Sequence, residues 1–262
     1  MDITKSKFLL NVTSIKIIAV VLMVFDHIHQ MFAPMGVPVW LTWLGRPVFP
    51  LFLFAMAESF HYTRSRKKLL IRILLASWIM TVVNMALGTV LPNNDVVLVN
   101  NAFSTFFVTT LYMLFFDMLV DGIKTRKPWE IIGAILLCAV PVLAAIPVIW
   151  ATSLANPLPL WIFRALFYIP NILLLEGGPA MVVLGVLFYV FRCWRWAQVT
   201  ALAALSVIVF YLNPSFQWMM VFAVIPMLLY NGEKGIGMKN FFYIFYPTHI
   251  YLLYIIATLL NA

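Results

Sequence analysis

We predict an all-α fold, a polytopic membrane bundle of about nine helices, from three observations. The 262 residues are 64% hydrophobic and 10% charged, whereas a soluble domain is roughly 45–50% apolar and about 25% charged. The mean hydropathy is +1.01. Several apolar runs reach the length of about 20 residues that crosses a bilayer as a helix. Because such spans leave only short loops, we treat 1–262 as a single domain.

The first five spans are long apolar runs bounded by charged residues, Pro or Asn. They are predicted at 15–33, 39–60, 69–91, 97–120 and 129–150. The first span starts among lysines, and it continues through Asp26 and His27 without a small-residue cleavage site. We therefore expect it to stay attached as a transmembrane helix rather than to be removed as a signal peptide.

The second half of the chain is predicted to supply four further spans. They are 179–191, 197–212, 216–230 and 241–260. The preceding stretch, 151–178, is rich in Pro and carries Arg164 and Glu176. We interpret it as a loop with a re-entrant or surface helix, and a tenth span at 157–175 is the alternative.

The distribution of Lys and Arg favours nine spans over ten, with a cytoplasmic N-terminus and an external C-terminus. Short cytoplasmic loops carry an excess of Lys and Arg, and the nine-span arrangement places 13 of the 17 basic residues inside. These 13 are Lys5, Lys7, Arg64, Arg66, Lys67, Lys68, Lys124, Arg126, Lys127, Arg192, Arg195, Lys234 and Lys239. The net charge of +8 then reflects topology, so the expected partner is the lipid bilayer and not nucleic acid.

The two cysteines do not indicate a disulfide or a metal site. Cys138 and Cys193 have neither a disulfide framework nor metal-ligand spacing, so we expect two unpaired thiols and no metal.

Several ionisable residues lie inside the predicted spans. Ionisable groups inside a membrane are costly, at about 2.5–3.5 kcal/mol each on insertion scales, and they therefore need a partner, a cavity or a function.

Asp26 and Arg46 are predicted to pair. Pro34, Gly36 and Pro38 mark a tight turn between the first two spans, and Asp26 and Arg46 each lie ten positions from Gly36. Residues equidistant from the turn of an antiparallel helical hairpin lie at equal depth. A carboxylate and a guanidinium at the same depth in a low-dielectric bundle are expected to form an ion pair.

Histidines at both ends of the chain are predicted to reach the middle of the membrane. His27 lies about 100° around its helix from Asp26 and so faces a different neighbour. His249 follows Pro247, which frees a backbone carbonyl near Tyr243, a break that membrane helices tolerate where they line a cavity. An imidazole can accept a proton near neutral pH, so the pair suits either acyl transfer or proton movement.

A basic cluster is predicted at the cytoplasmic end of the same bundle. Lys16 precedes His27 by 11 residues, which places it on the same helix face about 16 Å away. Arg64, Lys68 and Arg72 would join it. Such a cluster either determines topology or binds anionic phosphates. Glu58 lies 12 residues beyond Arg46, about 18 Å along a helix, and so it is expected to meet Lys16 or Arg72.

Several motifs resemble those of the TraX family of bacterial membrane proteins. They cover roughly the first 75 residues closely and the last 20 moderately. The matching segments are Ile15-Lys16-Ile17-Ile18-Ala19, Asp26-His27-Ile28, Leu44-Gly45-Arg46-Pro47-Val48-Phe49-Pro50-Leu51-Phe52, Glu58, Thr63-Arg64, Leu70-Ile71-Arg72 and Phe245-Tyr246-Pro247-Thr248-His249. The segment from Trp78 to Pro92 departs from the family pattern.

The resemblance implies an enzyme of the bacterial inner membrane. The family is known for acetylating the N-terminus of a conjugative pilin, and it is similar to multispanning acyltransferases that use cytoplasmic acetyl-coenzyme A. It implies catalytic roles for His27, Asp26, Arg46 and His249, and donor-binding roles for Lys16, Glu58, Arg64, Lys68 and Arg72. The acceptor would be a pilin-like protein or a surface glycan, and an oligomer is possible.

The sequence also fits two other classes of function. A proton-coupled transporter would use the same Asp, His and Arg side chains as a relay, although no inverted repeat is visible in the two halves of the chain. A non-catalytic assembly factor would use the same charges only to lock helices together.

Overall fold

The computed structural model describes residues 9–154, 159–212 and 215–261. Lys5, Lys7 and Pro157 lie outside these ranges. The described part is helical, with one isolated bridge between Leu10 and Tyr230. The prediction of an all-α fold is therefore confirmed.

The helices follow one another with short connections. Their bounds are α1 Val12–Phe32, α2 Trp40–Gly45, α3 Val48–His61, α4 Arg66–Val90, α5 Ala102–Thr125, α6 Pro128–Leu143, α7 Ile146–Ser153, α8 Leu160–Leu166, α9 Gly178–Val190, α10 Arg195–Leu212, α11 Val224–Leu228 and α12 Lys239–Asn261. Two 3₁₀ segments, Ala33–Met35 and Phe216–Ala223, precede α2 and α11.

Within the described residues, seven helical stretches are long and apolar enough to cross a membrane. They are Val12–Met35, Trp40–His61, Arg66–Val90, Ala102–Thr125, Pro128–Ser153, Arg195–Leu212 and Asn240–Leu260. Two shorter apolar helices, Gly178–Val190 and Phe216–Leu228, match the remaining two predicted spans. The chain therefore has the helices of a membrane protein, and the number of crossings stays a prediction.

Three span boundaries differ from the sequence prediction for local reasons. The fourth span begins at Ala102, not at 97, because the Asn101 side chain caps α5 by accepting a hydrogen bond from the Ser104 N–H. The second span is divided into α2 and α3 just before Pro47, and the fifth is divided into α6 and α7 at Ala144 and Ala145.

The chain divides into two compact units, which we describe separately. Unit 1 comprises 1–62, 84–98 and 187–262. In it α1 packs against α2, α3 and α12, and α10 packs against the segment 216–228. The face of α1 that enters this core carries Ile15, Ala19, Met23 and Met31, all of which are buried.

Unit 2 comprises 63–83 and 99–186. Its α5 and α6 form an antiparallel pair, in which the Tyr112 hydroxyl donates to the Cys138 carbonyl over 3.0 Å. The Asn101 backbone N–H donates to the Glu176 carboxylate over 2.7 Å. The helix predicted within 151–178 is α8, which has seven residues. Both cysteines are free, as predicted. The single-domain expectation stays a prediction.

Candidate functional site

The predicted ion pair between Asp26 and Arg46 is present in unit 1. Arg46 Nη2 lies 2.9 Å from Asp26 Oδ1, and the two side chains are each about one quarter exposed, at 28% and 26%. The turn between α1 and α2 ends at Gly36, whose φ of 82° is in the left-handed region that favours glycine. The hairpin geometry deduced from Gly36 therefore predicted the pair correctly.

The contacts of Arg46 extend beyond this pair. Its Nε donates to the Thr42 carbonyl over 2.9 Å, its Nη1 donates to Gln217 Oε1 over 3.0 Å, and its Nη2 also contacts the Thr42 hydroxyl. That hydroxyl donates to Asp26 Oδ1 over 2.8 Å. The guanidinium is thus shared among three residues and ties α1 and α2 to the segment 216–223. The contact with Asp26 itself is made by Nη2 alone.

Gly45 allows this network to form. A Cβ built on Gly45 would overlap the Cβ, Cγ and Oδ1 atoms of Asp26. The backbone of α2 therefore approaches the Asp26 side chain as closely as only glycine permits. Glycine at this position, directly before Arg46, places the guanidinium within reach of the carboxylate.

His27 and His249 meet inside unit 1. His27 Nδ1 lies 2.7 Å from His249 Nε2, and both residues are buried, at 5% and 8% exposure. Their rings are stacked with centroids 4.9 Å apart. As predicted, His27 faces a different neighbour from Asp26, because His27 contacts α12 whereas Asp26 contacts α2.

The hydrogen bonds of this pair determine where its protons lie. His249 Nδ1 is 2.7 Å from the Phe245 carbonyl oxygen, which can only accept, so Nδ1 must carry the proton. In the neutral imidazole His249 Nε2 is then an acceptor. His27 Nδ1 must donate to it, and in neutral His27 this leaves the lone pair on Nε2. We assign these tautomers from the hydrogen-bond network.

Lys16 also contacts α12, nearer the N-terminal end of α1 than His27 does. Its Nζ is over the Phe242 ring, 5.6 Å from the centroid. Because Lys16 contacts Phe242 and His27 contacts His249, residue numbers rise in the same direction along both helices, so α1 and α12 run parallel. The prediction that Lys16 and His27 share one helix is confirmed, since α1 contains both.

Glu58 pairs with a residue that the sequence did not predict. Its carboxylate lies 3.5 Å from Arg195 Nη1, whereas Lys16 or Arg72 was the expected partner. Arg195 also donates to Gln198 Oε1 over 2.6 Å and lies over the Phe54 ring, 4.5 Å from its centroid. The sequence argument placed Glu58 by depth along its own helix, but depth does not determine which neighbouring helix the side chain faces.

The other predicted donor-binding residues belong to unit 2. Arg64, Lys68 and Arg72 lie at or just before the N-terminal end of α4, where Arg64 and Lys68 are exposed. Nearby, Arg66 Nη1 forms an ion pair with Asp117 over 2.6 Å. Whether these residues act together with Lys16 stays a prediction.

An apolar cavity lies on the Asp26 side of α1 in unit 1, with a volume of about 400 Å³. Its walls come from α1, from α2 and α3, and from the segment 219–226. The lining residues are Leu22, Trp40, Trp43, Leu44, Pro47, Leu51, Met219, Phe222, Ile225 and Pro226. Trp43 and Pro47 flank Arg46 in the sequence, so the cavity adjoins the Asp26 and Arg46 network.

Sequence reasoning missed three contributors to the site. Thr42 and Gln217 complete the coordination of Arg46, and the Phe245 carbonyl orients His249. Thr42 lies one helical turn before Arg46, a spacing that could have indicated the contact. Gln217 is 171 positions from Arg46, and no local pattern signals it.

One comparison with known proteins found a matching family. The family model described as TraX protein matches residues 11–257. No curated protein and no solved structure matches the chain.

Proposed function

This chain belongs to the TraX family, and we propose that it is an integral membrane acetyltransferase. It would move an acetyl group from cytoplasmic acetyl-coenzyme A to an amine or hydroxyl of a membrane or extracytoplasmic acceptor. The observation that carries this proposal is the buried contact of 2.7 Å between His27 and His249. A buried imidazole with a defined tautomer is the group that general base catalysis of acyl transfer requires.

The assigned tautomers determine which atoms donate and accept protons during the transfer. The acceptor nitrogen or oxygen attacks the thioester carbonyl carbon while its proton moves to His27 Nε2. His27 can pass its Nδ1 proton to His249 Nε2, and the Phe245 carbonyl stabilises the resulting imidazolium through Nδ1. The carbon–sulfur bond breaks, a new carbon–nitrogen or carbon–oxygen bond remains, and the histidine pair returns the proton to the coenzyme A thiolate.

Asp26 and Arg46 are assigned a positioning role. They do not contact His27 or His249 through any hydrogen bond in the described residues. They hold α1, α2 and the segment 216–223 together through Thr42 and Gln217. This fixes the α1 helix from which His27 projects on its other face, and so it fixes the direction of the base.

The donor is proposed to enter from the cytoplasmic side. Lys16 lies about 16 Å from His27 along α1. If a phosphate of the donor binds near Lys16, the pantetheine arm spans this distance and brings the thioester to the histidines. Arg64, Lys68 and Arg72, which belong to unit 2, are proposed by themselves as a second group of cations that attracts phosphates. Glu58 is withdrawn from this set, because it is paired with Arg195.

The acceptor is proposed to carry an apolar segment. The cavity beside Arg46 is lined by aromatic and aliphatic side chains, and its volume lies within the range of about 300–1,000 Å³ that is typical of ligand sites. A pilin-like protein with a membrane-embedded segment suits this lining better than a surface glycan without one. The bacterial inner membrane is the proposed location, because the proposed donor is cytoplasmic and the proposed acceptor is membrane-embedded or extracytoplasmic.

We also propose the nine-span topology, on the basis of two contacts and one helix direction in unit 1. The N-terminal segment bonds to the loop before α12, since Leu10 N–H donates to the Leu229 carbonyl over 3.1 Å. The outer end of α12 bonds to the loop after α4, through Asn93 and Thr258. The helices α1 and α12 run parallel, which requires an odd number of crossings. A tenth span at 157–175 would separate these partners across the bilayer.

Substituted-cysteine labelling tests this topology. In a Cys138→Ser, Cys193→Ser background, cysteines at Leu9 and at Lys234 should react with a membrane-impermeant maleimide only after permeabilisation. A cysteine at Asn94 should react in intact cells, and serves as the control for the outer side. Labelling of position 234 in intact cells, with position 9 protected, would establish the ten-span arrangement instead.

Release of free coenzyme A tests the proposed activity. The detergent-purified protein, mixed with acetyl-coenzyme A and a peptide amine or lipid-linked acceptor, is expected to release the thiol, and His27→Ala is not. Acetyl-coenzyme A should also raise the melting temperature of the wild-type protein. Absence of both effects, together with proton-driven uptake into vesicles without acetyl-coenzyme A, would support the transporter alternative.

A further inference from the structure

The loop that precedes α12, residues 231–237, is held against the first turn of α1. The Thr13 hydroxyl contacts the Lys234 carbonyl over 3.1 Å and the Ile236 carbonyl over 2.6 Å. The Val12 N–H donates to the Glu233 carbonyl over 2.9 Å. These contacts hold an exposed loop against the beginning of α1, so the side chains of the loop have defined neighbours.

Glycines allow the close approach of the loop. Gly232 and Gly235 have φ values of 85° and 72°, in the left-handed region that favours glycine. A Cβ on Gly235 would overlap the Asn11 side chain, which caps α1 by accepting from the Ser14 N–H. A Cβ on Gly237 would meet nothing within 4 Å. The approach at Gly235 is thus specific to the position where the loop touches the helix cap.

The docked loop brings two cations together. Lys16 follows Thr13 by three residues, on the same face of α1, and the Thr13 hydroxyl donates to the Lys234 carbonyl, so the two lysines come from adjoining stretches of backbone. Lys16 Nζ contacts the Phe242 ring. No described carboxylate lies within ion-pair distance of either lysine. The nearest acidic residue in the loop, Glu233, accepts instead from Asn231 Nδ2 over 3.2 Å.

Two lysines without a counter-ion, beside the first turn of a helix, favour an anion. Like charges held close together repel, and a phosphate between them would replace that repulsion by two charge-assisted hydrogen bonds. The N-terminus of the 21-residue α1 adds the positive end of its macrodipole. The Phe242 ring holds the apolar stem and charge of Lys16 in place.

We propose that Lys16, Lys234 and the loop 231–237 form a phosphate-binding site at the cytoplasmic end of unit 1. Its ligand carries a phosphate monoester or diphosphate. The assignment to a nucleotide thioester donor rests on the proposed acetyltransferase function, and the headgroup of an anionic lipid is the other source of the same chemistry. The site differs from the one that the sequence indicated, because it uses Lys234 and lies wholly within unit 1.

Calorimetric titration of the purified full-length protein tests the site without turnover. Coenzyme A and pantetheine, which lacks the phosphates, are titrated into the wild-type protein, Lys16→Gln and Lys234→Gln. Each variant is expected to weaken coenzyme A binding about 10-fold, since one charge-assisted contact is lost. Pantetheine binding should not change. Lys124→Gln removes an exposed lysine at the end of α5 and is the matched charge control.

A second pair of variants tests the loop rather than the charge. Gly235→Ala should weaken coenzyme A binding by displacing the loop from Asn11, and Gly237→Ala, in the same loop, should not. Equal melting temperatures of the two proteins would show that the effect is local. If both lysine variants bind coenzyme A as tightly as Lys124→Gln does, the donor assignment is overturned.

A second experiment, in nanodiscs, tests whether the phosphate comes from a lipid headgroup and not from the donor. It compares how much phosphatidylglycerol and phosphatidylcholine remain bound to the wild-type protein and to Lys234→Gln. Loss of phosphatidylglycerol alone, with unchanged coenzyme A affinity, assigns the phosphate site to a lipid. If neither ligand depends on Lys16 or Lys234, the site is refuted. Lysine-dependent coenzyme A binding without acetyl transfer would instead refute only the proposed function.

Discussion

His27→Ala is expected to lower the rate of acetyl transfer by about 10²–10⁴-fold, the contribution of a positioned general base. The substitution removes the Nε2 lone pair that takes the acceptor's proton in the proposed mechanism. It also removes the donor to His249 Nε2, which then lies buried without its partner at 2.7 Å. The measurement is the rate of coenzyme A release at saturating acetyl-coenzyme A and acceptor.

The controls distinguish a loss of catalysis from a loss of folding. His61→Ala removes an exposed histidine at the end of α3 and should transfer acetyl groups at the wild-type rate. His249→Gln keeps an acceptor oxygen for His27 but cannot take up the proton, so it should lose less activity than His27→Ala does. Acetyl-coenzyme A should still raise the melting temperature of His27→Ala. Full activity of a folded His27→Ala protein would refute the assignment of His27 as the base.

The sequence predicted those parts of the site that depend on one helix or one hairpin. The pairing of Asp26 with Arg46 followed from their equal distance to Gly36, because a short turn determines which residues of two adjacent helices lie at the same depth. The separate direction of His27 followed from the rotation of 100° per residue. Both deductions needed only local geometry, and the structure bears both out.

The long-range partners could not be deduced in this way. Glu58 and Arg195 are separated by 137 positions, and the choice between Arg195 and Lys16 depends on how α10 packs against α3. Hydropathy predicts that α10 is a span, but not the neighbour against which it packs. The same holds for Gln217, which completes the contacts of Arg46. The sequence predicted that His27 and His249 both reach the middle of the membrane, but only the structure supplied their direct contact.

The packing around Gly45 gives a physical reason for one motif of the family resemblance. The motif Gly45-Arg46 contributed to the resemblance as a sequence pattern, and its physical reason becomes visible in the packing. Gly45 is buried, and its Cα faces the Asp26 side chain so closely that no methyl group fits. The glycine therefore provides space for the carboxylate that Arg46 binds.

Gly45→Ala is accordingly expected to lower the free energy of unfolding by about 3 kcal/mol, the upper end of the usual cost of overpacking. Three Asp26 atoms stand where the methyl group would be. Asp26 cannot move away cheaply, because Arg46 and the Thr42 hydroxyl both hold its Oδ1 atom. Either the helices separate or the ion pair breaks, and both outcomes remove stability.

Thermal unfolding in detergent measures this loss, and Gly88→Ala provides the matched control. Gly88 lies in α4, also in unit 1, and a Cβ there would meet nothing within 4 Å. Since Ala favours a helix over Gly by up to about 1 kcal/mol, Gly88→Ala should have an unchanged or slightly higher melting temperature. A Gly45→Ala protein as stable as Gly88→Ala would show that α2 can shift away from α1 without loss, and that the pairing of Asp26 with Arg46 does not depend on the glycine.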